Sequence, residues 1–227
     1  MFKDRLEDIK NTIEETKSRK GCTQDVTVMA VSKRFPLSDI TNAYETSGHT
    51  VFGENRIQEA LEKAEKLKNL PIELHFIGHL QKNKVKYLKD NFTMIHSLDS
   101  LKLANLMQGH FERENRIQDV LVQVNIASDE NKSGVGEEET FLMCDYVMQS
   151  ENLNLRGLMM MPPLVDDAEE NRPHFARMKK LFDKCNDIKR YNIDVLSMGM
   201  SDDHLIAVEE GSTMVRIGTA LFGQRQY

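Results

Sequence analysis

Cysteine is scarce in this 227-residue chain. Cys22, Cys144 and Cys185 are odd in number, widely spaced and never in a CxxC pair. That excludes a disulfide scaffold and a cysteine-based zinc site, and it reads as a reduced intracellular protein. Each thiol is expected to be a small buried hydrophobe or a bystander. Long apolar runs are also missing. None approaches the roughly 18–20 residues that span a bilayer, and the opening MFKDRLEDIKNTIEETKSRKG has no signal core. A cytoplasmic location without a membrane partner is expected. Excess positive charge is absent too: the formal net charge is −6 and the pI about 5.7. This argues against a general affinity for nucleic acid, while a local phosphate site, built from backbone N–H groups, stays open. Neither GxGxxG nor GxxxxGK[ST] occurs, which weakens nucleotide-fold readings.

What is present is an alternation. Short apolar runs end in Gly, Asn, Ser or Asp, and longer charged segments of helical spacing follow them. The runs predict eight strands, at 26–32, 50–53, 73–78, 93–97, 120–126, 155–161, 194–199 and 213–218. Most lack strict polar alternation, as parallel strands covered on both faces should. Phe2, Leu6, Ile9 and Ile13 share one face of an N-terminal helix; so do Ile57, Leu61 and Ala64, and Phe175, Met178 and Phe182. Ser38 is expected to cap the helix after the first strand, and Asp99 or Ser100 the one after the fourth. Pro162, Pro163 and Pro173 punctuate the connection after strand six. The expected fold is α/β: a single (β/α)8 TIM barrel over residues 1–227 with an extra N-terminal helix. The chain length suits it, since such barrels take about 250 residues. A doubly wound open sheet is the alternative.

Function in such barrels collects at the C-terminal ends of the strands. Those ends supply Ser32 and Lys33, then Glu54 and Asn55, then His75, Gly78 and His79, then His96 and Ser97. Asn125 and the loop 128–134 follow, then Met159 to Met161, the turn SMGMSDD (197–203) and Arg216 to Thr219. The last two turns combine Gly with Ser or Thr before a helix start, the first of these helices being expected over 202–211 after SMGM. They lie where barrels frequently hold a phosphate. In a closed barrel Lys33 lies beside them. A buried lysine loses its proton more readily, and the neutral amine can form a Schiff base with an aldehyde whose phosphate sits in those turns. Pyridoxal phosphate or a phosphorylated sugar would fit. His75, His79 and His96 lack the carboxylate pattern of a metal site and are expected in the core or at the rim. Met159 to Met161 are expected to pack the barrel, and Glu54 to act as a structural hydrogen-bond acceptor.

The blocks AVSK (30–33), FGEN (52–55), HFIGHLQKNK (75–84), VNI and NKSG (124–126, 131–134), LRGLMMMP (155–162), LSMGMSDD (196–203) and GSTMVRIGTALFG (211–223) occur in this order across nearly the whole chain. Together they closely resemble the pyridoxal-phosphate homeostasis protein family, whose barrel is similar to the N-terminal domain of alanine racemase. The resemblance implies pyridoxal 5′-phosphate held as a lysine aldimine on Lys33. It implies a phosphate held by Ser201, Gly218 and Thr219, with Ser197 and Gly199 shaping the turn. Arg216 would be the cationic partner, at the ring nitrogen or shared with the phosphate, and Asn55 would lie close to the ring. An arginine beside the ring nitrogen weakens the cofactor as an electron sink. Arg34 departs from the family pattern, where a small polar residue frequently follows the lysine.

The function implied is cofactor holding in vitamin B6 and amino-acid homeostasis without strong turnover, with apo-enzymes as recipients and no residue assigned to catalysis. The alternatives are an amino-acid racemase and a Schiff-base aldolase. Racemases of the related type add a C-terminal β domain and use a tyrosine of the partner subunit as second acid/base. Tyr227 lies only nine residues after Gly218, so neither that domain nor a racemase activity is expected, and a monomer is.

Overall fold

The computed structural model describes residues 1–129, 132–188 and 191–223. Glu130 and Asn131 of the 128–134 loop, and Tyr227, lie outside the described residues. The apolar runs form eight strands: β1 Thr27–Val31, β2 Val51–Glu54, β3 Glu73–Phe76, β4 Met94–Leu98, β5 Gln118–Val124, β6 Leu153–Met160, β7 Val195–Met200 and β8 Met214–Ile217. They pair in parallel in chain order and close into a barrel. The closure joins β1 to β8, with Thr27 opposite Met214 and Ala30 opposite Ile217. The fold is the expected TIM barrel.

Helices cover the outside: α1 Phe2–Lys20, α2 Leu37–Ser47, α3 Ile57–Leu67, α4 Leu101–Arg113, α5 Glu137–Gln149, α6 Arg172–Asp187, α7 His204–Glu209 and α8 Thr219–Phe222. A 3-10 helix, Lys82–Tyr87, follows β3 in place of an α-helix. Ser100 caps α4 as expected, its Oγ accepting the Leu103 N–H at 3.4 Å. Ser38 does not cap α2. Pro36, its φ fixed near −64°, takes the N-cap position, so the helix starts at Leu37 and Ser38 lies inside it. The buried face of α1 (Phe2, Leu6, Ile9 and Ile13) packs on α2, α7 and α8. Arg5 reaches the Leu221 carbonyl at 3.1 Å, and Phe222 stacks on Phe35 with centroids 4.7 Å apart.

Side chains leave a strand alternately inward and outward. Met29, Met94, Leu121, Met159, Val195 and Met214 form the apolar plug of the barrel interior. Gly53 makes room for it, since a Cβ there would sit 2.6 Å from the Met29 sulfur. Two residues further along four of these strands, on the same inward side, the character changes. His96 follows Met94, Gln123 follows Leu121, Ser197 follows Val195 and Arg216 follows Met214. Val31 and then Lys33 continue the file that starts at Met29. The outward file, which includes Ala30, Phe52, Leu158, Leu196 and Val215, packs under the helices.

Candidate functional site

A cavity of about 500 Å³ opens above this polar layer, at the C-terminal ends of the strands. Lys33, Asn55, Ser201, Arg216, Gly218 and Thr219 line it. Lys33 arrives there because it is four residues beyond Met29 on the inward file; it is half-buried. Asn55, two residues beyond Gly53, lines the cavity, and its Oδ1 is buried without a hydrogen-bond partner. Ser197 and Gly199 do not line the cavity: both are buried, Ser197 against Arg216 and Gly199 against the helix side. Gly199 has φ 91°, and a Cβ would meet that of Ala207 at 2.6 Å, so the strand can turn there only as glycine.

The turn after β7 is tied at several points. The Asp203 carboxylate accepts the Met200 N–H at 2.7 Å and the Asn171 amide at 3.0 Å. His204 Nδ1 lies 3.1 Å from the Ser201 carbonyl, and the Gly218 N–H donates to Ser201 Oγ at 3.3 Å, joining this turn to the one after β8. The helices that follow are short. α7 covers His204–Glu209 rather than 202–211, and α8 has four residues. An anion at these turns would therefore meet turn N–H groups and hydroxyls more than a helix dipole.

Arg216 forms the floor. It is 3% exposed. It donates to Ser197 Oγ at 2.8 Å, to the Met160 carbonyl at 2.8 Å and to the Met161 sulfur at 3.4 Å. Burial pushes its guanidinium down to about 10, still charged at neutral pH. Ser197 Oγ accepts from Arg216, so its own proton points to His96 Nδ1, 3.3 Å away. His96 then donates from Nε2 to His75 Nδ1 at 2.9 Å. His75 Nε2 points toward Glu73 at the far end of the barrel, 4.0 Å off. Burial, then the neighbouring His75 and Arg216, hold His96 well below its ordinary value, so its ring is neutral. Of the three histidines that could have suggested a metal cluster, His75 and His96 are thus partners in one hydrogen-bonded column, while His79 lies at the cavity rim, 3.2 Å from an Asp99 carboxylate oxygen.

Gln123, Lys132, Ser133, Met200 and Asp202 also line the cavity, although sequence reading assigned them no role. Their signal was position alone: Gln123 shares the inward side with Leu121, and Lys132 and Ser133 sit in a loop already placed at the rim. Met159 and Met160 pack the barrel, while Met161, 41% exposed, borders the cavity.

The family model of the alanine racemase N-terminal domain matches residues 5–226. A pyridoxal phosphate homeostasis protein of Aquifex aeolicus (strain VF5) is 42% identical over 224 residues, 98% of this chain and 96% of that protein. One of Escherichia coli (strain K12) is 35% identical, covering 98% of this chain and 96% of its own. Among solved structures, PipY of Synechococcus elongatus PCC7942 with PLP bound superposes with a TM-score of 0.85 at 32% identity, over 98% of this chain and 100% of that one. An alanine racemase of Clostridium difficile 630 shares the fold, with a TM-score of 0.75 at 16% identity; the match covers 99% of this chain and 58% of that one.

Proposed function

The chain belongs to the alanine racemase N-terminal domain family, among the pyridoxal phosphate homeostasis proteins, and we propose that it binds pyridoxal 5′-phosphate and holds it for vitamin B6 and amino-acid balance without strong turnover. The observation that carries this reading is one cavity that gathers an amine, a buried cation, an amide side chain and a Ser/Gly/Thr double turn. When bound, the group supplies an aldehyde that an amine can hold reversibly. Lys33 is the tether, and Ser201, Gly218 and Thr219 hold the phosphate on turns shaped by Ser197 and Gly199. Arg216 is the cationic partner, at the ring nitrogen or shared with the phosphate, and Asn55 lies close to the ring. A charged guanidinium at the ring end disfavours protonation of the ring nitrogen, and so favours retention of the cofactor over carbanion chemistry. Apo-enzymes that accept the cofactor are the proposed partners, and the proposed working unit is a monomeric barrel, 1–227. Among the described residues no helix is long and apolar enough to cross a membrane, and a cytoplasmic location is proposed.

The test is an absorbance spectrum of the purified protein with added pyridoxal phosphate, before and after borohydride. Wild type should take up the cofactor and fix it irreversibly on Lys33, and Lys33→Ala should not. A wild type that takes up none would overturn the reading. Rapid racemisation of alanine would overturn the non-enzymatic part alone.

A further inference from the structure

Lys33 sits in a turn whose two flanking peptides are both held by one helix. Ser32, one residue before Lys33 and so on the outward file, is fully buried. Its Oγ donates to Glu54 Oε1 at 2.6 Å. Glu54 ends β2 and is also fully buried, and its Oε1 accepts a second bond from Lys63 Nζ at 2.7 Å. Lys63 comes from α3 and is 7% exposed. It stands among Ala60, Ala64 and Leu67 on the buried face of that helix. Lys63 Nζ donates further to the Ser32 carbonyl at 3.0 Å and to Glu59 Oε1 at 2.7 Å. Glu59 Oε1 in turn accepts the Arg34 N–H at 2.8 Å. The Ser32 carbonyl belongs to the peptide entering Lys33 and the Arg34 N–H to the peptide leaving it. Both planes that orient the Lys33 Cα–Cβ bond are therefore bonded to α3. Arg34 has φ 65°, a conformation a non-glycine residue adopts only when its surroundings hold it there.

We infer that Lys63 and Glu59, backed by Glu54, are positioning residues that aim the Lys33 amine at the aldehyde carbon of the bound cofactor. The inference rests on the cofactor reading above for the identity of that aldehyde. A lysine side chain with four rotatable bonds reaches a productive geometry only if its root is fixed, and small misplacements at a reacting centre cost large factors in rate. The clamp fixes the root from the helix side and leaves the cavity side to the ligand. It also explains how an exposed arginine can occupy the position after the tether: that position is set by its backbone N–H.

Glu59→Ala tests this with little risk to folding, because Glu59 is on the rim of the clamp, with a side chain 25% exposed. Three measurements separate the possibilities. Amide hydrogen exchange at Arg34 should lose protection in Glu59→Ala and keep it in Glu59→Gln, whose side-chain oxygen still accepts; unchanged protection in Glu59→Ala would sink the clamp whatever the ligand is. The rate of borohydride-trappable capture of pyridoxal phosphate on Lys33 should fall roughly ten- to a hundredfold in Glu59→Ala and recover in Glu59→Gln. Binding of pyridoxine 5′-phosphate, which carries an alcohol in place of the aldehyde, should stay within about twofold in both, because it needs no aimed amine. Capture at the wild-type rate in Glu59→Ala overturns the inference, as does an equal fall in capture and in binding of the alcohol. If wild type captures no pyridoxal phosphate yet Arg34 shows the expected exchange, the clamp stands, the cofactor reading falls, and the aiming role falls with it.

Discussion

Two buried polar systems lie under the cavity, and they solve the same problem in opposite ways. Under Lys33, in the seam between β2 and α3, charge is paired with charge: Lys63 contacts Glu54 and Glu59 at 2.7 Å each. Under Arg216, inside the barrel, the supporting chain is Ser197, a neutral His96 and His75. The seam has a helix beside it that can deliver a counter-ion. The interior is closed by eight strands, where a further charge would have to be paired at every step, so hydroxyl and imidazole groups extend the network without one. The pH behaviour differs accordingly. Burial pushes Glu54 up, although Lys63 and Ser32 pull it back, whereas burial pushes His96 down.

The comparison breaks most visibly at Lys63. Lys63→Met leaves the Glu54 carboxylate buried without its cation, and urea unfolding should show a loss of about 3–5 kcal/mol. Adding Glu54→Gln to it should restore at least half of that loss, because the amide still accepts the Ser32 proton and carries no charge. Little difference between the single and double variants would mean that the seam is not ionic. In the interior, Ser197→Ala removes the acceptor of a buried Arg216 N–H and the donor to His96. A loss of about 1–3 kcal/mol is expected in the same assay, with weaker uptake of pyridoxal phosphate on titration.

The pH dependence of stability sharpens the contrast. His96 is depressed in the fold, so below about pH 6.5 the unfolded chain binds a proton that the folded chain does not. Stability should therefore drop on acidification, by up to about 1.4 kcal/mol per pH unit from this one group. His96→Gln should flatten the decline between pH 6.5 and 5.5, and an unchanged slope would show that other groups carry it. Glu54 has the opposite sign. Its folded value is raised, so its titration adds stability below about pH 4.5, lost as the pH rises through the folded value. The smallest effect is expected at Arg34→Gly. Glycine accepts positive φ freely, and relief of that strain should offset its greater unfolded-state freedom, for a net gain of a few tenths to about 1 kcal/mol in thermal unfolding.

Sequence reading reached one of these systems only in part and the other hardly at all. The strands were legible because each apolar run ends in a small or polar residue, and the buried face of α1 because its period is helical. Lys33, Asn55, Ser201, Arg216, Gly218 and Thr219 were legible as strand ends and motif positions. The column was not, because His75, His96 and Ser197 are 21 and 101 residues apart and meet only when the barrel closes. Glu54 was read as a structural acceptor without its partner. A lysine on the apolar face of α3 was the available sign of that partner, since position 63 falls within helical reach of Ala60, Ala64 and Leu67. Ser38 misleads because serine favours the N-cap, whereas Pro36, with its fixed φ, takes that position two residues earlier.

The closure of β1 on β8 bears on when the site can exist during synthesis. Lys33 leaves the ribosome early, while Gly218 and Thr219, which complete its cavity, are translated some 185 residues later. β1 must wait for β8 with one edge unpaired, and α1 must wait for α7 and α8 with part of its apolar face uncovered. Contacts this distant in sequence make the last step of folding slow. A nascent chain halted before Met214 would carry Lys33 without Arg216, Gly218 and Thr219, which line the same cavity. The cavity thus exists only once the barrel is complete.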